Sequence, residues 1–217
     1  DHRDLHLSIR RQRQMCIRDR LEYIKQLPSS ENLGTSLPTV TGMLKRMVRD
    51  HLITKDKNNE IFLTEYGKIS AKEQTKRFRL ASKFLHEILK IKLEDVFQEA
   101  HRLEHAMSQD VENSIDKLLD YPDKDPFGQT IPGIDFIKNE DNFPLTKTLV
   151  NKSYVVSKIP PENVEFVEFL NKNKVLPGSK ISITELSDTR GIISIKIKNN
   201  KVDLGLNIAK SIWVKNI

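Results

Sequence analysis

The hydrophobic period of this 217-residue chain changes once, and that change limits the fold more than any single motif. Up to Leu119 the apolar residues recur three and four apart, the spacing of helices that bury one face. From Asn151 onward they alternate, as in Ile181/Ile183, Ile193/Ile195/Ile197, Val202/Leu204 and Ile212/Val214. Alternation is the mark of half-buried strands. Helices followed by strands, rather than interleaved with them, predict an α+β chain, mainly α, that ends in a small β domain.

Punctuation divides the helical part. Ser36 is a good N-cap, Pro38 falls in the first turn, and Val40, Leu44, Met47 and Val48 make one stripe, so a helix is expected over Pro38–Asp50. Before it, Leu21–Leu27 and Ser29–Leu33 read as two short helices closed by Pro28 and Gly34. After it, Leu52-Ile53-Thr54 and Ile61-Phe62-Leu63 are strand-like and flank the turn signal Asn58-Asn59. Helix, helix, hairpin in this order is a winged helix-turn-helix. Further helices are expected over Glu65–Leu89, Leu93–Met107 and Asp110–Leu119. Tyr121–Gly133, with three prolines and two glycines, is expected to be a loop. The expected divisions are an unassigned arm over 1–20 that need not be native, a winged helix-turn-helix over 21–70, a helical domain over 71–135, a linker over 136–150, and a five-stranded SH3-like barrel over 151–217.

Two clusters carry chemistry. A helix that enters the major groove needs small polar residues at its N-terminal end and cations further along. Ser36, Pro38, Thr39 and Thr41 supply the first, and Lys45, Arg46 and Arg49 the second. An ordinary amphipathic surface helix has a similar composition; the attached hairpin is what favours DNA. The second cluster is His101-Arg102-Leu103-Glu104-His105. Positions i, i+3 and i+4 share a helix face, so two imidazoles and a carboxylate can meet a first-row divalent metal there. The same residues also suit a solvated helix face.

The formal charge is +6, and its distribution matters more than its sum. Residues 1–20 are net +3; residues 36–83 hold eleven basic and five acidic residues; residues 84–135 hold five basic and twelve acidic. A cationic block beside an anionic one suggests a polyanion partner at one and a cation at the other. The single cysteine, Cys16, excludes a disulfide framework and a cysteine zinc cage, and fits a reducing cytoplasm. No run of about 18 apolar residues is present, so no transmembrane helix is expected. No secretory signal, nucleophile–base pair, P-loop or GxGxxG pattern is visible, which argues against an enzyme.

Ordered motifs together resemble the diphtheria-toxin-repressor family of iron- and manganese-dependent transcription regulators. They are Leu33-Gly34-Thr35-Ser36-Leu37-Pro38-Thr39-Val40, Leu63-Thr64-Glu65-Tyr66-Gly67, Arg79-Leu80-Ala81, Glu99-Ala100-His101-Arg102-Leu103-Glu104-His105-Ala106-Met107-Ser108, and Asp125-Pro126-Phe127-Gly128-Gln129-Thr130-Ile131-Pro132-Gly133. The match covers roughly 33–135, more loosely 151–217. The resemblance implies a cytoplasmic homodimer joined through the helices of 71–135, with Fe²⁺ or Mn²⁺ as cofactor, double-stranded DNA carrying a palindromic operator as partner, no membrane, and repression of metal-homeostasis genes. It places Glu104 and His105 on two ligands of the family's primary metal site. His101 falls where the family has Cys or Glu, and Glu22 is the best candidate for the ligand from the first helix. Base and phosphate contacts would carry to Ser36, Pro38, Thr39, Thr41, Arg46 and Arg49; Gly42 stands where a longer contacting side chain can occur.

The departures are equally specific. The family's ancillary metal site uses His and Glu on the long helix and His on the next; Phe78, Ser82 and Phe97 stand there. Glu162 and Glu165 lie near the barrel's ligand positions without those partners. No ancillary site of the usual kind is therefore expected, and Phe78 and Phe97 are expected to pack together instead. The stretch before Pro38 is short for two full helices. Two other readings stay open on sequence: a winged-helix dimer that has lost metal sensing, and a helical–barrel interaction module with no DNA role.

Overall fold

The computed structural model describes residues 37–57, 60–133 and 141–217. The expectations for the arm, for the helices over 21–27 and 29–33, and for Glu22 and Ser36 lie outside those residues. Two compact units divide at Thr75/Lys76, inside one helix.

In the first unit, α1 (Leu37–Arg49) leads to β1 (Ile53–Lys55) and β2 (Ile61–Leu63), an antiparallel pair with Ile53 opposite Leu63. Met47 and Ile53 are buried and gather Leu44, Leu52, Ile61 and Leu63. Val48, expected in the stripe, is 40% exposed. It lies a full helical step of 100° from Met47, on the flank of the face that meets the hairpin. Helix α1 closes on a residue in the left-handed region, His51 at φ 56°. The amide of Leu52 donates to Met47 O and that of His51 to Val48 O, which satisfies two end carbonyls. Thr64 then caps α2 (Glu65–Glu87), accepting from the amide of Gly67 at 2.9 Å. Gly67 is needed for close approach: a Cβ there would lie 1.9 Å from Leu52 O.

In the second unit, the later turns of α2 pack with α3 (Leu93–Ala106) and α4 (Gln109–Leu118) around Phe78, Leu80, Ala81, Leu85, Ala100, Met107 and Ile115. Ion pairs tie α2 to α4: Arg77 Nε to Glu112 Oε2 at 3.0 Å and Lys76 Nζ to Asp116 Oδ2 at 2.6 Å. Glu112 and Asp116 are both buried. Charges held in this way resist separation far more than surface pairs do.

The remainder is a six-stranded antiparallel sheet in the order β3-β8-β4-β5-β6-β7. Its strands are β3 (Phe143–Pro144), β4 (Ser153–Lys158), β5 (Lys180–Ser187), β6 (Ile192–Ile197), β7 (Asn200–Gly205) and β8 (Trp213–Asn216). Inward side chains from β4 to β8 form one buried cluster, as in a sheet curled about its own core. Register shifts at Val156/Lys158 and Ile183/Glu185 bend β4 and β5. This is the SH3-like architecture, but with six strands rather than five. The sixth is β3, inside the stretch expected to be linker. Phe143 packs on the barrel core and Leu145 is fully buried in it, so residues 143–148 are part of the barrel. Two residues are too few to show alternation. The period-two reading also misses α5 (Val164–Lys172), which Asn163 caps by accepting from the amide of Phe166 and which buries Val167 and Leu170, and the short α6 (Leu206–Ala209).

The loop after α4 joins the helical core to the barrel core. Asp125 Oδ1 accepts from the amides of Phe127 (3.0 Å) and Gln129 (2.8 Å). This turn drives Phe127 into the barrel core, while Ile131 enters the helical core. Phe127 O accepts from the amide of Ile159 on the barrel side. Gly128 has φ 80°, and a Cβ there would lie 1.9 Å from Ser157 O. Gly128→Ala is therefore expected to destabilise by about 2 kcal/mol in chemical denaturation.

Burial pushes the Asp125 carboxyl up to about 7, against the two amide donors and the nearby Arg79 and Lys83, which pull it down. A raised carboxyl pKa means that the folded state holds the proton more tightly than the unfolded chain. The group's contribution to stability is present at low pH and is lost as pH rises through about 7. Asp125→Asn keeps an acceptor and cannot ionise. Its stability relative to wild type is expected to rise from pH 5 to about 7 and then level off, read as denaturation midpoints across that range.

Candidate metal centre and nucleic-acid interface

Helix α3 sets the metal-type residues. Phe97, His101, Glu104 and His105 follow at i, i+4, i+7 and i+8, which keeps them on one face. Arg102 pairs with Glu99 on the solvent side. The Glu104 side chain is 4% exposed and that of His101 20%. His101 Nδ1 lies 3.5 Å from Glu104 Oε1, and both His101 Nδ1 and His105 Nε2 are shielded from solvent. A carboxylate in such surroundings is costly unless positive charge or donors compensate it.

Two aromatic rings flank the His101 imidazole. Phe97 meets it edge-on, centroids 4.7 Å apart and planes at 89°. Phe78, from α2, lies 4.8 Å away at 44°. The two phenyl rings touch each other at 5.5 Å and 75°, as expected from sequence. Ser82 is fully buried and its hydroxyl donates to Phe78 O at 2.9 Å. Phe78, Ser82 and Phe97, where the resemblance would place ancillary ligands, are thus taken up by packing and a backbone hydrogen bond. Glu162 and Glu165 are exposed.

Imidazole nitrogen and carboxylate oxygen, with no thiolate, suit a first-row divalent cation. The buried Glu104 carboxylate beside a shielded imidazole fits such an ion. Among the described residues, however, no three His, Cys, Asp or Glu side chains converge closely enough to hold one by themselves. His101 and Glu104 form the built part of the site. The spacing of these residues was visible in the sequence. The flanking of His101 by both phenyl rings was not, because Phe78 and Phe97 lie on different helices.

On α1, Thr41, Lys45, Arg46 and Arg49 are all exposed. Pro38 and Thr39 occupy its first turn. Arg49 Nε donates to Asp50 Oδ1 at 3.0 Å, a pair open to solvent and easily exchanged. A Cβ at Gly42 would meet nothing within 4 Å, so the helix is open there. Among the described residues no helix is long and apolar enough to cross a membrane.

Residues 64–133 match the family model "Iron dependent repressor, metal binding and dimerisation domain", and residues 143–216 match "FeoA domain". The iron-dependent repressor IdeR of Mycobacterium leprae is 29% identical over 201 residues, 87% of each chain. The diphtheria toxin repressor of Corynebacterium jeikeium is 32% identical over 156 residues, 68% of this chain and 65% of that one. A solved manganese-dependent transcriptional repressor in complex with manganese superposes with a TM-score of 0.78 at 26% identity, covering 87% of this chain and 88% of the other. The two matched segments fall on the helical core with its His101–Glu104 face and on the six-stranded barrel, so the chain belongs to the diphtheria-toxin-repressor family of iron- and manganese-dependent transcription regulators.

Proposed function

We propose that this chain is a cytoplasmic, homodimeric repressor whose affinity for a palindromic operator is raised by Fe²⁺ or Mn²⁺. The observation that carries the metal reading is the buried Glu104 carboxylate beside the shielded His101 ring. Glu104, His101 and His105 would hold the cation, with Glu22 as the further donor. When bound, the ion would supply positive charge beside the buried carboxylate. Ser36, Pro38, Thr39 and Thr41 would approach base edges and phosphates, and Lys45, Arg46 and Arg49 would fix the helix on the backbone. The divisions proposed are a DNA-binding part over 21–70, a dimerisation and metal-binding part over 71–135, and a barrel over 151–217 extended to residue 143. For metal to control repression, the operator-competent form must bind the ion better than the other form does.

A second reading is a winged-helix dimer that no longer senses metal. It is favoured by the absence of three converging donors among the described residues, and by the phenyl rings that stand in the ancillary positions. Calorimetry of Mn²⁺ against wild type, His101→Ala and Glu104→Gln separates the two. Binding by wild type that is lost in Glu104→Gln is the expected result; no heat from any of the three supports the second reading. At fixed salt, Mn²⁺ is expected to raise affinity for an operator duplex at least fivefold in a gel-shift titration, and chelator to reverse it. Equal affinity in both conditions would end metal control.

The DNA reading has its own test. Arg46 is exposed on α1, and a phosphate contact releases counterions when it forms. Arg46→Ala is expected to lower the slope of log affinity against log salt by about 1, with weakening similar on all sequences.

A further inference from the structure

The imidazole of His101 is held by its neighbours before any ligand arrives. Phe97 sits one turn earlier on α3 and presents its edge to the ring, while Phe78 covers the ring from α2. Phe78 is 8% exposed and packs in the helical core. Phe97 packs against the helical core and also against the barrel core. A ring fixed by two aromatic neighbours cannot change rotamer without displacing them, and interiors packed at crystal-like density give little room for that. In this packing Nδ1 lies 3.5 Å from Glu104 Oε1.

We propose that Phe78 and Phe97 are positioning residues that hold the His101 imidazole with Nδ1 facing Glu104, ready for a divalent cation, and that Phe97 makes this alignment depend on the packing of the barrel. The proposal rests on the metal-dependent reading above. Its logic is pre-organisation: a ligand already ordered does not lose side-chain freedom on binding, whereas a mobile one does. Groups that orient a metal ligand commonly change affinity ten- to a hundredfold when altered. In this chain two of the orienting groups are apolar rings, and one of them is shared with the barrel core.

The test uses the full chain with histidine ring nitrogens and carbons labelled, and Mn²⁺ as the probe. The variants are Phe78→Leu, Phe97→Leu and the milder Phe97→Met, with Phe97→Tyr as a ring-preserving rescue. Val167→Ala loosens the barrel core at a distance from His101 and so tests the dependence on the barrel. In the metal-free protein, the Leu variants are expected to remove the ring-current shift of the His101 signals, and the Tyr variant to retain it. By calorimetry, Phe97→Leu is expected to weaken Mn²⁺ about tenfold, and Phe97→Tyr to bind as wild type does. Val167→Ala is expected to lower the melting temperature and to move the His101 signals in the same direction as Phe97→Leu, by less; unchanged His101 signals in this variant would overturn the dependence on the barrel. Unchanged His101 signals and unchanged Mn²⁺ affinity in the Phe97 and Phe78 variants would overturn the proposal while leaving the metal reading intact. Failure of the wild type to bind Mn²⁺ would remove both.

Discussion

One fourteen-residue helix, α3, must satisfy two cores and a polar site at once. Leu93 and Val96 are buried in the barrel core, Ala100 in the helical core, and Glu104 on the continuation of the same face. Each fully buried aliphatic side chain contributes about 1.5–3 kcal/mol. Removing a carboxylate from water costs several kcal/mol, so the apolar half of the face has to hold the polar half in place. The helix dipole adds to the imbalance. Glu104 and His105 lie in the last turn, where negative charge is disfavoured and positive charge favoured by about 0.3–1 kcal/mol. Burial and the helix dipole both favour positive charge beside Glu104, and the two neighbouring imidazoles can act as donors to a cation.

The loop over 121–133 is what makes one unit of the helical core and the barrel. Phe127 enters one core and Ile131 the other, only four residues apart, so the two cores lie within about 14 Å of each other along this segment. The conformation is set by the Asp125 side chain, which takes the place of backbone acceptors for two amides, and by Gly128, which can take the positive φ and the contact with Ser157. The carboxyl that orders the turn is also the one that burial disfavours in its charged form. The barrel is therefore joined to α3 by packing and by a turn with a built-in electrostatic cost.

Much of this was legible before any coordinates, and the reasons differ by element. The helices α1 to α4 and the hairpin were readable within a few residues because period and punctuation agree there: Thr64 caps α2, and the residues after Leu118 break the pattern. The His101/Glu104/His105 face followed from spacing alone. Helix α5 was passed over although Asn163 is a good cap, because the alternating strands on both sides set the expectation. Strand β3 is too short to carry a pattern. The double packing of Phe97 lay beyond sequence in principle, since periodicity tells which face of a helix is apolar and not how many cores that face meets.

The charge blocks change meaning in the same way. Residues 84–135 carry a surplus of acid, and on sequence alone that surplus looks like a field for attracting metal. Glu112 and Asp116 are instead taken up by Lys76 and Arg77, and Asp125 by its own turn. The metal reading then depends on one buried carboxylate rather than on a field, which makes it local and weakly sensitive to salt. The cations of α1 are the opposite case. Lys45, Arg46 and Arg49 are exposed, and their attraction to a polyanion acts by counterion release and falls steeply with salt. Under the proposed function the two partners would be met by different physics: ionic strength would govern how tightly the helix holds DNA, while the packing around His101 and Glu104 would govern whether the cation is recognised.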